Sequence, residues 1–199
     1  TPSEISTVSL IENKWIISRF NDTLDEFNEL FEKYKISDAF KLLYNFLWSE
    51  LFDWYFEFSK NLFNDEDKKI ETQTVLKSIF LESLKLLNPA MPHITEEIWS
   101  SFNENYIIDN SWPIRYQQES VDIFEIENLK EIITKLRNFK STYNLKNSLI
   151  IDLYSATSYP DWFTNQLEKT ASVNISIAEN NVKEGVILSF QSNEFKFSI

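Results

Sequence analysis

The chain has no cysteine, one glycine, one histidine, one methionine and five prolines in 199 residues. Each scarcity removes a class of chemistry. Without cysteine there are neither disulfides nor thiolate metal sites, which fits a cytosolic protein. The single glycine, Gly185, rules out the Gly-rich phosphate loop and the dinucleotide fingerprint. His93 is the only imidazole, so the usual nucleophile–base pairs are nearly excluded and a metal site finds no second His or Cys. No run approaches the roughly 20 apolar residues of a membrane span. The opening Thr1-Pro2-Ser3-Glu4 has neither the basic flank nor the apolar core of a signal peptide. It does not begin with methionine, so the chain reads as a fragment or a processed product.

Positive charge is also short: 19 Lys and Arg stand against 31 Asp and Glu, a formal net charge of −12. A free-standing nucleic-acid binder is expected to be basic, because phosphate neutralisation dominates affinity. Alone, this chain should bind RNA weakly; if RNA is its ligand, it works inside a larger protein. What the sequence has in plenty is aromatic residues, 16% of the total and mostly Phe. A chain of this size buries roughly 70% of its unfolded surface, so these can form a core.

The apolar pattern is helical for most of the chain. Ser9 and Glu12 fit a capping box ahead of a first helix whose stripe is Ile16, Phe20, Leu24, Phe27, Phe31 and Tyr34. Ser37 is placed to cap a central helix over 36–60, with Ala39, Leu43, Leu47, Leu51, Trp54, Tyr55 and Phe58 along it. A second row, Trp48, Phe52 and Phe56, repeats every four residues, so this helix should be covered on more than one side. Leu76, Ile79, Phe80, Leu84 and Leu87 mark a third helix ending at Asn88-Pro89, and Pro92 opens a short fourth. Residues 114–125 read as a linker and about 126–143 as a fifth helix. The period then changes: a strand at 149–154, a helix at 160–171, a half-buried strand through Val173, Ile175 and Ile177, and a closing hairpin from Val186 to Ile199. The expected division is residues 1–120 and 121–199. By pattern alone this is an acidic, mainly α chain with a small α+β annex.

Residue types say more. Phe46-Leu47-Trp48 followed by Glu50-Leu51-Phe52-Asp53-Trp54-Tyr55 and Glu57-Phe58-Ser59-Lys60 resembles the anticodon-binding domain of class I aminoacyl-tRNA synthetases, and within it the valyl branch. Asn13-Lys14-Trp15, Asn88-Pro89-Ala90-Met91-Pro92-His93-Ile94-Thr95-Glu96-Glu97 and Ser111-Trp112-Pro113 fall in the same order as that family's segments. Asn88, Ala90 and His93 stand where the family usually has His and two Phe. The resemblance implies a helical bundle of the class I synthetase anticodon-binding type followed by a small α+β annex. It implies recognition of the anticodon stem-loop of a tRNA, the valine isoacceptor by the Asp53-Trp54-Tyr55 and Trp48 signature. ATP and Mg would belong to a catalytic domain of the same polypeptide, whose His-Ile-Gly-His and Lys-Met-Ser-Lys-Ser signatures are absent here, so this chain alone is expected to be inactive and without cofactor. A cytoplasmic location and no membrane partner go with that reading.

The candidate RNA contacts are basic. Lys14 and Arg19 lie on the first helix, and Lys130, Arg137 and Lys140 fall within about a quarter-turn of one another on the fifth. That second set reads equally as a phosphate-facing stripe or a solvated face. Asp53 is placed to pair with a basic neighbour such as Arg19, while Trp54 and Tyr55 continue the core stripe. Glu96 and Glu97 suit the positive end of the short helix's dipole. Two alternatives stay open: an acidic module that docks a protein, and the equivalent domain of an isoleucyl or leucyl relative.

Overall fold

The computed structural model describes residues 8–118, 123–155, 158–177, 186–189 and 194–198. It divides into two compact units, Thr1–Asp122 and Ile123–Ile199. The first holds α1 (Ile11–Glu32), α2 (Ile36–Asn45), a π-helix (Phe46–Tyr55), α3 (Phe56–Leu62), α4 (Glu66–Leu87), α5 (Pro92–Ser100) and a 3₁₀ turn (Ile107–Asp109). No described helix is long and apolar enough to cross a membrane.

The core of this unit is aromatic and aliphatic. Trp15, Ile16, Phe20 and Phe27 of α1 pack with Leu43, Leu51, Tyr55 and Phe58 and with Val75, Ile79 and Leu86 of α4, all buried. Full burial of such side chains contributes about 1.5–3 kcal/mol each before ordering costs. Within it runs one polar chain. Tyr55 Oη donates to Asn13 Oδ1 at 2.7 Å, and Asn13 Nδ2 donates to Glu71 Oε1 at 2.9 Å and Thr72 Oγ1 at 3.3 Å. Burial pushes the Tyr55 phenol well above its usual range, with Glu12 and Glu71 adding to the shift, so it stays a donor.

The helix starts differ from the sequence reading. Ser9 and Glu12 form no capping box: Leu10 is the cap residue of α1 and makes no side-chain cap bond. Glu71, from α4, does the capping instead, accepting from Ser9 N at 3.1 Å, Ser9 Oγ at 2.7 Å and Leu10 N at 3.0 Å. Glu12 is buried. Ser37 caps nothing either, since α2 begins at Ile36 with Lys35 at its cap. Tyr34 leaves the apolar stripe because it takes φ 58° in the turn after α1 and points to solvent.

The central element is one helical run with a ten-residue π segment in its middle. A π turn closes hydrogen bonds over five residues rather than four, so four residues come close to one full rotation. Two period-four rows then run straight along it. Leu43, Leu51, Tyr55 and Ser59 are buried. Tyr44, Trp48, Phe52 and Phe56 are 59%, 64%, 47% and 43% exposed. The second row is therefore only partly covered by the described residues, and Trp54 is half-buried.

Residues 114–118, read as linker, are instead held against α1. Asn21 and Tyr116 exchange two hydrogen bonds of 2.9 Å, Arg115 pairs with Asp25, and Trp112 Nε1 donates to Asn28 Oδ1 at 2.9 Å. Residues 119–122 of that expected linker lie outside the described residues.

The second unit contains α6 (Phe124–Thr142), β1 (Ile151–Ser155), α7 (Asp161–Ala171), β2 (Val173–Ile177), β3 (Val186–Ser189) and β4 (Glu194–Ser198). The sheet order is β2-β1-β4-β3. β1 and β2 are parallel, with Ile151 opposite Val173, and α7 supplies the crossover that a parallel pair requires. β4 runs antiparallel to both β1 and β3. Phe190 and Ile199 of the expected hairpin fall outside the described residues.

Candidate nucleic-acid interface

The five basic candidates belong to both units, two to the first and three to the second. Lys14 is half-buried on α1 and makes no side-chain ion pair among the described residues. Arg19 is committed to carboxylates: Nε and Nη2 donate to Glu50 at 2.6 and 2.7 Å, and Nη1 lies 3.7 Å from Asp22. Its partner is thus Glu50 of the π segment, and the expected pairing with Asp53 does not occur. Asp53 is exposed. A two-point guanidinium–carboxylate bond holds both groups in one geometry and leaves little of Arg19 for phosphate.

On α6, Lys130 Nζ lies 3.0 Å from Glu127 and is largely covered, and Lys135 lies 2.6 Å from Glu131. Arg137 is exposed. Lys140 corrects the expected stripe. It is only 2% exposed, and its ammonium donates to the carbonyls of Asn147 (3.1 Å), Leu149 (2.7 Å), Ala171 (2.7 Å) and Ser172 (3.2 Å). Burial draws its pKa down, while the four oxygens favour the charged form. The physical reason lies in the helix ends. Ala171 closes α7 and Ser172 turns left-handed at φ 52°, so these carbonyls lack helical partners and carry the negative end of the dipole. The quarter-turn separating Lys140 from Lys130 carries it to the inner side, beside buried Leu136 and Phe139. The basic stripe is therefore shorter than expected and locally neutralised.

Two further features are built on aromatic residues. The first is the exposed row on the central helix. Tyr44 and Trp48 stack with ring centres 6.2 Å apart and planes 6° from parallel. Phe52 meets Phe80 edge-on at 6.4 Å, Phe80 meets Phe102 at 6.3 Å, and Lys60 and Lys77 approach the rings of Phe56 and Phe102 at 5.6 and 5.9 Å. The period of four was visible in the sequence; its exposure was not.

The second is a cleft of about 350 Å³ in the first unit, between α4, α5 and the segment that crosses α1. Glu82 and Lys85 stand on its α4 wall, 2.7 Å apart, and Lys85 Nζ lies 5.8 Å from the centre of the Trp99 ring. Trp99 is fixed by Nε1 donating to the Asn105 carbonyl at 2.9 Å. Trp112 and Tyr116 also line it. Burial pushes the Tyr116 phenol far above its usual range, and the Glu82 charge adds to this, so it remains protonated. Asn103 Nδ2 is buried with no hydrogen-bond partner among the described residues. Glu96 helps hold this loop: both its oxygens accept from Ile107 N at 3.1 Å, a role beyond the dipole expected for it. The sequence clue was Ser111-Trp112-Pro113, which gives no hint of the α4 residues facing it. His93 is exposed on the first turn of α5. Among the described residues no group of three His, Asp or Glu could hold a metal ion.

Comparison with known proteins shows what this scaffold is. The family described as the anticodon-binding domain of tRNA ligase matches residues 13–155. Valine–tRNA ligase of Bacillus licheniformis is 31% identical over 175 residues, covering 85% of this chain and 20% of the relative. That of Petrotoga mobilis is 33% identical over 188 residues, 87% of this chain and 21% of the relative. That of Streptococcus thermophilus is 34% identical over 153 residues, 74% of this chain and 17% of the relative. The chain spans about a fifth of the length of these relatives. The chain belongs, through residues 13–155, to the anticodon-binding domain family of tRNA ligases.

Proposed function

We propose that this chain is the anticodon-recognition module of a valine–tRNA ligase. It binds the anticodon stem-loop of a valine tRNA in the cytoplasm. ATP-dependent aminoacylation, with ATP and Mg, is carried out by a catalytic domain of the same polypeptide. Binding energy far from the chemistry then positions the acceptor end in a remote active site. The observation that carries this reading is the identity of 31–34% to valine–tRNA ligases over most of the chain. The acidic balance and the paired state of Arg19, Lys130 and Lys135 support a module whose affinity comes from base contacts more than from phosphates. The test is binding of the chain to valine and isoleucine tRNA transcripts at low and moderate salt. Preference for the valine transcript, lost when its anticodon is exchanged, supports the reading. Equal affinity for both overturns valine selectivity in these residues.

The exposed row Tyr44, Trp48, Phe52 and Phe56 favours a second reading, in which this aromatic face docks a protein. Trp48→Ser separates the two: unchanged tRNA binding removes the row from the RNA surface, and weakened tRNA binding overturns the protein-docking reading.

A further inference from the structure

We propose that the carbonyls of Asn147, Leu149, Ala171 and Ser172 build a monovalent-cation site, which the chain fills with its own Lys140 ammonium. The tethered charge holds the start of the β1–β2 pair on the end of α6. The site belongs to the second unit alone and needs no RNA.

The arrangement is a coordination sphere rather than a set of separate, directed hydrogen bonds. Four oxygens lie 2.7–3.2 Å from Lys140 Nζ, whereas an ammonium has only three N–H donors. All four are backbone carbonyls and none is a carboxylate. Neutral oxygens at that spacing suit a monovalent cation, as rings of carbonyls replace the hydration shell of potassium. A divalent ion fits poorly: calcium sits about 2.3–2.6 Å and magnesium about 2.0–2.1 Å from its oxygens, with carboxylates among their ligands. A neutral amine also fits poorly, because it would turn a lone pair toward acceptors. Lys140 is 2% exposed, so its charge is held by these oxygens and not by bulk water.

The backbone shapes the cage. Asn144 turns left-handed at φ 53°, Leu145 N donates to the Lys140 carbonyl at 2.8 Å, and Leu149 N donates to the Lys146 carbonyl at 2.9 Å. These bonds fold residues 144–149 back toward Lys140. Left-handed Ser172 ends α7 and leaves its last carbonyls without helical partners. β1 begins at Ile151, just after Leu149, and β2 at Val173, just after Ser172. Ile151 stands opposite Val173, and Ile151 N donates to the Ser172 carbonyl at 3.3 Å. The cage therefore sits where both strands of the parallel pair start. A parallel pair has no tight turn to set its register. A cation shared by its two entry segments supplies that restraint.

The test uses the full 199-residue chain. Lys140→Ala removes Cγ, Cδ, Cε and Nζ, the heavy atoms of n-propylammonium. Its melting temperature should fall by several degrees in tetramethylammonium chloride, whose ion is too large for the cage. Propylammonium, ammonium or potassium chloride at equal ionic strength should restore part of the loss, beyond any change these salts make to the parent. The gain should grow with concentration, as for any ligand of the folded state. Lys140→Met keeps a carbon stem without charge and should stay low in every salt. Hydrogen exchange at Ile151 N should speed up in both variants and slow again only in Lys140→Ala with its cation. Equal melting of Lys140→Ala in all of these salts, or parent-like melting of Lys140→Met, overturns the site. Should Lys140→Ala fail to fold in tetramethylammonium, refolding on addition of propylammonium supports the site. Nitrogen-15 spectra of the parent give a reading that needs no variant. The Lys140 signal should be that of a charged ammonium exchanging slowly with water at neutral pH, and a neutral or fast-exchanging amine contradicts the site.

Discussion

The two rows of the central helix have the same spacing and opposite fates. Leu43, Leu51, Tyr55 and Ser59 lie inside, with Leu47 half-buried between them; Tyr44, Trp48, Phe52 and Phe56, one position beyond Leu43, Leu47, Leu51 and Tyr55, lie largely outside. The π segment explains the straightness of both rows and not their environment. Side-chain period reports which residues share a face. Which face is covered depends on neighbours, here α1 and α4, that approach from one side.

The sharpest way to break this comparison is to truncate one residue from each row. Leu51→Ala should cost about 2–5 kcal/mol as a cavity in the core, and Trp48→Ala should stay within about 0.5 kcal/mol as a surface change. Urea melts followed by circular dichroism measure both. Equal losses would mean that the outer row is as deeply packed as the inner. Half-buried Trp54 should fall between them.

The same inside–outside contrast recurs on α6 with cations. Lys140→Met leaves four carbonyls without their donor and should cost about 2–4 kcal/mol. Arg137→Met should change stability by less than about 0.5 kcal/mol. Hydrogen exchange of the amides around 147–172 reads the difference, and slow exchange preserved in Lys140→Met would contradict the role assigned to its ammonium.

Smaller effects are expected where Glu71 caps α1. Glu71→Ala should cost about 1 kcal/mol, as loss of a helix cap does. Desolvation raises this carboxyl's pKa, but the bonds from Ser9, Leu10 and Asn13 outweigh it and leave the value lowered. A lowered folded-state value means that the stabilisation is complete above the usual 4.5 and is lost as pH falls through the folded-state pKa. Between pH 5 and 3, stability of the parent should fall more than that of Glu71→Gln. Parallel pH profiles would remove the cap.

Much of the fold was legible, because most helices are long, strongly periodic and punctuated. Pro92 at the start of α5 and Asn88 at the end of α4 stand where sequence rules put them. The misses were long-range. Ser9 and Glu12 have the right local chemistry for a cap, but Glu71, about sixty residues away, outcompetes them. Asp53 and Glu50 lie three residues apart on the central helix, and it is Glu50 that meets Arg19. Of the candidate site, Arg137 is outside as read, whereas Lys140 is drawn inward by carbonyls that only the fold of α7 and the following turn brings together. The cleft was illegible for the same reason: Glu82 and Lys85 meet Trp112 and Tyr116 through tertiary structure, with no local pattern to announce them.

The most direct test of the account compares two ligands for this chain: a full-length valine tRNA and its isolated anticodon stem-loop. If these residues read the anticodon, the hairpin should displace the whole tRNA with an affinity within a few-fold of it. A hairpin that fails to compete while full-length tRNA still binds would place the contacts elsewhere on the tRNA and contradict anticodon recognition by this domain.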